Sequence, residues 1–140
     1  MAKTHVDELL STVPLFSRCT KKELAVLSRL TTKLTFPAGD VVTRQGRVGR
    51  EFLVIVDGTA TVAIDGQTVA TLGAGDFLGE IALLDGGPRT ATVTADTDLV
   101  AEVMSHQEFA SVLVEVPYVT RGILKGVAAR LRTADATLVH

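Results

Sequence analysis

The sequence is poor in aromatic residues and in cysteine. Tryptophan is absent, aromatic residues make up 4% of the 140 positions, and Cys19 is the single cysteine. A core must therefore be built from Val, Leu, Ile and Ala, and no disulfide can form within the chain. The sequence also has neither a secretory leader nor an apolar run long enough to span a bilayer. Because hydrophobic residues supply 46% of a chain of this length, we expect one cytoplasmic domain.

Strong positive charge and clustered metal ligands are missing as well. The formal net charge is −2, whereas a general nucleic-acid binder has a strongly basic face. His5, His106 and His140 are far apart in the sequence, so it predicts no metal site. We find no nucleophile with a partner base and no acid/base pair, and Cys19 is expected to be structural. The sequence therefore predicts a protein that is not an enzyme and has no catalytic cofactor.

Helical patterns lie towards both ends of the sequence. Apolar residues at helical spacing predict a short helix over residues 6–13, which Pro14 ends. The segments "TKKE" and "SHQE" are capping-box patterns, and each predicts the start of a further helix. A last helix is expected after Pro117, where four apolar residues share a face. They are Val119, Ile123, Val127 and Leu131.

Strand and turn patterns fill the middle of the sequence. "VDGTA" and "IDGQT" are Asp-Gly turn signals between runs rich in Val, Ile and Thr. Gly58 and Gly66 can adopt positive φ in such turns, so we expect strands near 52–56, 59–64 and 67–71 to form a meander. "TATV" and "LVAEVM" predict two more strands.

A long connection follows the third strand of this meander. It is far longer than a hairpin needs, and long connections commonly carry function. Within it, "GEIALLDGGPRTATV" contains Glu80 and Arg89, and Arg89 is the only lysine or arginine between residues 50 and 121. A guanidinium can bind two phosphate oxygens at once, and a carboxylate can accept a hydrogen bond from a sugar hydroxyl. The pair therefore predicts a ribose phosphate as ligand.

The residues after Gly79 add an anion site to this connection. "EIALL" predicts one helical turn, whose first amide groups, at Ile81 and Ala82, would face an anion. Gly79 would let a ligand come close to the backbone.

Several segments resemble the cyclic nucleotide-binding domain family of kinase regulatory subunits, nucleotide-gated channels and bacterial cAMP receptor regulators. "FLGEIALLDGGPRTATV" is similar to the family's phosphate-binding cassette. "VPLFSRCTKKEL", "FPAGDVV", "RQG", "FLVIVDGTATV" and "LGAGDFLGE" resemble, in the same order, its opening helices, first strands, hairpin and cassette lead-in. The similarity covers roughly residues 7–132.

The resemblance implies a mainly β fold with flanking helices. We expect an eight-stranded antiparallel β-roll of the jelly-roll type, with N-terminal helices and a C-terminal lid helix. The chain would be a single cyclic nucleotide-binding domain over residues 1–140. Its N-terminal helices would lie in 1–32, the roll in 33–104 with the cassette at 77–93, and the C-terminal helices in 105–134.

The family's ligand contacts can be carried over to matching positions. The resemblance implies that Glu80 accepts from the ribose 2′-hydroxyl and that Arg89 pairs with the exocyclic phosphate of cAMP. Thr90 would add a hydroxyl. In the family a hydroxyl at this place can reach the amino group of a guanine, so cGMP is also a possible ligand. The backbone would give further contacts, or room, at Gly79, Ile81, Ala82 and Ala91. The candidates for contact with the base are Val62, Leu72, Arg121 and Lys125.

The resemblance also implies how such a domain signals. Ligand would move the lid helix, and the movement would reach a partner protein or an effector domain outside this chain. Because the chain ends at His140, we expect no DNA-binding domain, and we expect no membrane partner. The apolar face of the C-terminal helix has two equally good explanations. The helix could pair with the same helix of a second copy in a homodimer, or it could pack on the roll. The alternative function is a protein-interaction or scaffold domain with a vestigial nucleotide pocket.

Overall fold

The computed structural model describes residues 16–79 and 87–139 of the chain. The helix expected over 6–13 and the helical turn expected after Gly79 lie outside the described residues. In chain order the elements are α1 Lys21–Leu30, β1 Thr32–Phe36, β2 Val41–Thr43, β3 Glu51–Asp57, β4 Ala60–Ile64, β5 Gln67–Leu72, β6 Phe77–Leu78, β7 Thr92–Ala95, β8 Leu99–Ser105, α2 His106–Glu115 and α3 Pro117–Val139.

The eight strands form two four-stranded sheets. The first sheet has the strand order β1-β8-β3-β6 and the second has the order β2-β7-β4-β5. Every neighbouring pair is antiparallel, and β8 lies between β1 and β3 in the first sheet. The expected eight-stranded antiparallel roll with flanking helices is therefore confirmed.

The first sheet is the middle layer of the domain, between the helices and the second sheet. Phe52 and Val54 of β3 belong to a cluster formed with the helices, and Leu53 and Ile55 belong to a cluster formed with the second sheet. We call these the helix-side cluster and the sandwich cluster. Because successive side chains of a strand point to opposite faces, a strand buried on both faces reads as a continuous apolar run. This explains why "FLVI" in β3 does not alternate with polar residues.

Both predicted capping boxes are confirmed. The Thr20 hydroxyl accepts from the amide of Glu23, and the Glu23 carboxylate accepts from the amide of Thr20 at the start of α1. Ser105 and Glu108 make the same reciprocal pair at the start of α2. No helix among the described residues is long and apolar enough to cross a membrane.

The prediction that β3, β4 and β5 form a meander is half correct: β4 pairs with β5, but β3 does not pair with β4. The turn at Asp65 and Gly66, with φ of 52° and 80°, joins β4 to β5 as a hairpin, as the sequence predicts. The turn at Gly58 instead passes the chain from the first sheet to the second, so β3 and β4 do not pair. Gly58 has a φ of 97°, and a Cβ there would overlap the carbonyl oxygen of Asp98. An Asp-Gly signal thus specifies a sharp turn without specifying which strands pair across it.

One acidic side chain is buried on the helix side of the first sheet. Glu102, in β8, is 2% exposed, and its Oε1 accepts a hydrogen bond of 3.0 Å from the hydroxyl of Thr31 at the end of α1. Burial raises the pKa of the Glu102 carboxyl above its ordinary value of 4.5, and the Thr31 hydroxyl and the Lys33 charge lower it in part. Folding therefore shifts the equilibrium of this carboxyl towards its protonated form.

This burial predicts a pH-dependent effect of Glu102→Gln. A carboxyl whose pKa is raised by folding makes the protein lose stability as pH rises from 4.5 through the raised pKa. Glutamine keeps an oxygen for Thr31 and cannot ionise, so we expect the variant to be more stable than wild type at neutral pH. The difference should disappear below pH 4.5. Urea denaturation across this range measures it, and a variant that is less stable at neutral pH would contradict the prediction.

Candidate anion-binding site

The segment that carries Arg89 runs beside the loop between β2 and β3. We call residues 44–50 the 44–50 loop. The amide of Arg89 donates to the carbonyl oxygen of Arg47 at 2.9 Å, and the amide of Gly46 donates to the carbonyl oxygen of Arg89 at 2.9 Å. The amide of Gln45 also donates to the hydroxyl of Thr92, at 3.0 Å. These bonds fix the backbone at Arg89 against the second sheet.

The guanidinium of Arg89 is buried and held in one place. The residue is 7% exposed, and its Nη2 donates to the carbonyl oxygen of Glu51 at 2.7 Å. Two glycines border the group: a Cβ on Gly49 or on Gly79 would overlap guanidinium atoms. Gly79 also has a φ of 96°, which favours glycine on conformational grounds. Arg89 thus occupies a slot between two backbone segments that have no side chains there.

The other residues predicted for the cassette are placed in part. Gly79 is half-buried beside Arg89, and Thr90 is exposed. The carbonyl oxygen of Ala91 accepts from the hydroxyl of Thr43 at 3.4 Å. Among the described residues, the structure therefore brings Gly79 and Arg89 together. Three predicted contacts lie outside the described residues: Glu80, Ile81 and Ala82.

The predicted base-contact residues fall into two groups. Val62 and Leu72 are half-buried and pack against the sandwich cluster. Arg121 and Lys125 are exposed on α3, whose buried residue Ile123 belongs to the helix-side cluster. The contact of these four residues with a base stays a prediction.

The 44–50 loop adds positive charge next to Arg89. Arg44, Arg47 and Arg50 are all exposed on it. The loop is also tied to the hairpin between β4 and β5, since the side chain of Gln45 exchanges hydrogen bonds of 3.0 and 2.8 Å with Asp65. Cationic side chains around a site raise the local concentration of anions, so this loop favours an anionic ligand.

The structure gives no support to a reactive thiol at Cys19. Burial, with a contribution from the charge of Glu23, raises the pKa of the Cys19 thiol to about 11. At neutral pH the side chain is therefore a thiol rather than the nucleophilic thiolate. Within residues 16–79 and 87–139 there is no group of three or more His, Cys, Asp or Glu side chains that could hold a metal ion.

Two residues of the site were missed by sequence reasoning. Gly49 makes room for the guanidinium, and the carbonyl oxygen of Glu51 accepts its hydrogen bond. A backbone carbonyl leaves no mark on the sequence. The sequence feature that could have pointed to Gly49 is the pair of glycines in "GRVGR", because a simple loop does not require two glycines so close together.

Comparison with known sequences shows which proteins this chain is similar to. The sequence profile described as "Cyclic nucleotide-binding domain" matches residues 33–115, more than half of the chain. A cyclic nucleotide-gated potassium channel of Rhizobium etli is 42% identical over 92 residues, which are 66% of this chain and 26% of the channel. A CRP-like cAMP-activated global transcriptional regulator of Mycobacterium tuberculosis is 28% identical over 138 residues, which are 95% of this chain and 62% of the regulator.

The fold is shared with solved structures. A structure described as cAMP-bound PfPKA-R superposes with a TM-score of 0.84 at 23% identity, over 97% of this chain and 47% of that chain. At this identity the likeness concerns the fold. The chain spans 26% and 62% of the length of the two sequence relatives above.

Proposed function

Because the chain belongs to the cyclic nucleotide-binding domain family, we propose that it is a regulatory module that binds cAMP, with cGMP as the alternative ligand. The observation that carries the proposal is the buried, fixed guanidinium of Arg89 within the matched segment. A planar fork held in one orientation can pair with two phosphate oxygens and loses little side-chain entropy when it does so. The cyclic phosphate is the ligand group that this fork fits.

The proposal also assigns contacts to the ribose, to the phosphate and to the base. Glu80 would accept from the ribose 2′-hydroxyl, and the amides of Ile81 and Ala82 would donate to phosphate oxygens. Gly79, which borders Arg89, would let the ligand approach the backbone. Ala91, just after the exposed Thr90, would leave room for it. The base would meet Val62 and Leu72 from the roll and Arg121 and Lys125 from α3.

Calorimetric titration of the purified chain with cAMP and with cGMP tests the proposal. Micromolar or tighter binding of either nucleotide is the expected result. Thr90→Ala distinguishes the two ligands: since a hydroxyl here can reach a guanine amino group, the variant should lose affinity for cGMP and keep its affinity for cAMP. No heat and no thermal shift with either nucleotide would overturn the proposal in favour of a scaffold domain with a vestigial pocket.

We propose further that α3 is the lid through which the module signals to a partner or effector domain, in the cytoplasm and without a catalytic step. Val119 and Ile123 of α3 are buried in the helix-side cluster. Gly126 lies against the ring of Phe77, because a Cβ on Gly126 would be 2.5 Å from the ring atom Cζ. Phe77 is two residues before Gly79, so a shift of α3 acts directly on the strand that leads into the site. Ligand would select one position of α3 by binding it more tightly.

The exposed face of α3 supports a homodimer through this helix. Val119, Ile123 and Val127 account for the part of the apolar stripe that packs on the helix-side cluster. Leu124 and Leu131 are 60% and 58% exposed, and they lie seven positions apart, with the exposed Ala128 between them. Apolar residues at this spacing form the seam of paired helices. We propose that two copies of the chain pair along this face.

Sedimentation equilibrium tests the dimer. The wild-type chain should show a concentration-dependent dimer, and Leu124→Glu should make it monomeric at the same concentrations. Val114→Glu is the matched control, since Val114 is 80% exposed on the neighbouring helix α2 and outside the proposed seam. A monomer at every concentration, or equal loss of dimer in both variants, would rule out pairing along this face.

A further inference from the structure

We propose that Gly49 is a positioning residue for the phosphate site: the absence of a side chain at position 49 sets where the guanidinium of Arg89 lies. The inference rests on the proposed function and names a residue that acts through Arg89 rather than on the ligand. Gly49 lies in the 44–50 loop, forty positions before Arg89 in the sequence.

The guanidinium of Arg89 occupies the space that a side chain at position 49 would need. A Cβ on this residue would overlap Nε of Arg89 and would lie 2.7 Å from both Cζ and Nη2. Ordinary van der Waals contact begins near 3.4 Å, so Cζ and Nη2 would have to retreat by the better part of an ångström and Nε by more than an ångström. The backbone of Gly49 is outside the left-handed region that favours glycine. Its glycine is thus required by the neighbouring side chain and not by the conformation of the loop.

Arg89 is the partner that must yield. Its backbone is tied to the 44–50 loop by the hydrogen bonds to Gly46 and Arg47, whereas the guanidinium is the far end of a flexible side chain. Gly79 and the carbonyl oxygen of Glu51 confine the group from other directions. A methyl group at position 49 would therefore turn the fork away from its present direction and leave the fold intact. Two parallel hydrogen bonds to one phosphate depend on that direction.

Gly49→Ala separates this role from a general effect of replacing glycine. We expect the variant to bind cAMP about tenfold to 100-fold more weakly than wild type, which corresponds to the loss of one or both bonds of the fork. Gly73→Ala is the matched control: its φ is also outside the left-handed region, and nothing lies within 4 Å of its Cβ position. The control should bind as wild type does. Without ligand, both variants should have wild-type circular dichroism spectra and cooperative unfolding.

Two readouts test whether Gly49 acts through Arg89. In an Arg89→Ala background, Gly49→Ala should cause no further loss of affinity. In the ligand-free protein, the Nε–H resonance of Arg89, assigned by its loss in Arg89→Lys, should shift in Gly49→Ala and stay in place in Gly73→Ala.

The outcomes distinguish this inference from the proposed function. If wild type binds neither nucleotide, the proposed function fails, and the Arg89 resonance alone decides whether Gly49 positions the guanidinium. If wild type binds and Arg89→Ala weakens binding, but Gly49→Ala binds as wild type does, only the role of Gly49 is overturned. An unmoved Arg89 resonance in Gly49→Ala overturns it as well.

Discussion

Arg89→Ala is expected to weaken the binding of cAMP by at least about tenfold, and by more than 100-fold if both bonds of the fork reach the phosphate. Hydrogen bonds to charged groups contribute about 1.5–3 kcal/mol each, and about 1.4 kcal/mol corresponds to a factor of ten in affinity. The effect should be large because the guanidinium is buried and held by the carbonyl oxygen of Glu51. Calorimetric titration with cAMP measures the loss.

Three further variants define the cause of that loss. Arg29→Ala removes the same charge at an exposed position in the last turn of α1 and should leave the affinity unchanged. Arg89→Lys keeps the charge and removes the planar fork, so its affinity should fall between wild type and Arg89→Ala. Glu80→Ala should weaken binding through the ribose hydroxyl. If Arg89→Ala kept the wild-type affinity, the proposed contact between Arg89 and the phosphate would be contradicted.

Phe52→Ala is expected to have the largest effect on stability. Phe52 is fully buried in β3, and its ring stacks on Phe109 of α2 with a centroid distance of 4.6 Å. Its centroid is 5.6 Å from that of Phe77. Removing a buried phenylalanine side chain costs about 3–5 kcal/mol, a large part of the roughly 5–15 kcal/mol that stabilise a domain. Urea denaturation should therefore show a clearly lower midpoint, and the melting temperature should drop by roughly 10–20 °C.

Two comparisons make this prediction specific. Phe52→Leu keeps most of the apolar volume and loses the ring contacts, which contribute about 0.5–1.5 kcal/mol per pair, so it should be less destabilised than Phe52→Ala. Val69→Ala changes a side chain that is 56% exposed on β5 and should stay within about 0.5 kcal/mol of wild type. If Phe52→Ala lost no more than Val69→Ala, the helix-side cluster would not depend on this ring.

The features that the sequence predicted correctly depend on residues close to one another in the chain. The two capping boxes join residues three positions apart, and the hairpin at Asp65 and Gly66 needs only two residues with positive φ. The pairing of β3 could not be predicted in this way. Its partners are β8 and β6, and the choice depends on burying both faces of the strand between helices and second sheet.

In the candidate site, too, some residues could be predicted from the sequence and others only from the fold. Arg89 is marked in the sequence as the only lysine or arginine over a long stretch, whereas its position beside Gly79 is visible only in the structure. Gly49 did not stand out, because its requirement comes from a side chain that lies beside it only after the two sheets have formed. The contacts of Val62 and Arg121 with the base are implied by the resemblance alone, and the surroundings of these residues in the fold could not be deduced from their neighbours in the sequence.

The glycine in the middle of α3 has a consequence for how strongly this helix docks. Glycine in a helix is less favourable than alanine by about 0.8–1.0 kcal/mol, yet a Cβ at position 126 would press on the ring of Phe77. Alanine would therefore strengthen the free helix and weaken its docked form, whereas glycine does the reverse. In the proposed lid mechanism, residue 126 would therefore help to set the equilibrium between the docked and undocked helix. A change there would move the ligand concentration at which the proposed response is half complete, without removing any group that contacts the phosphate.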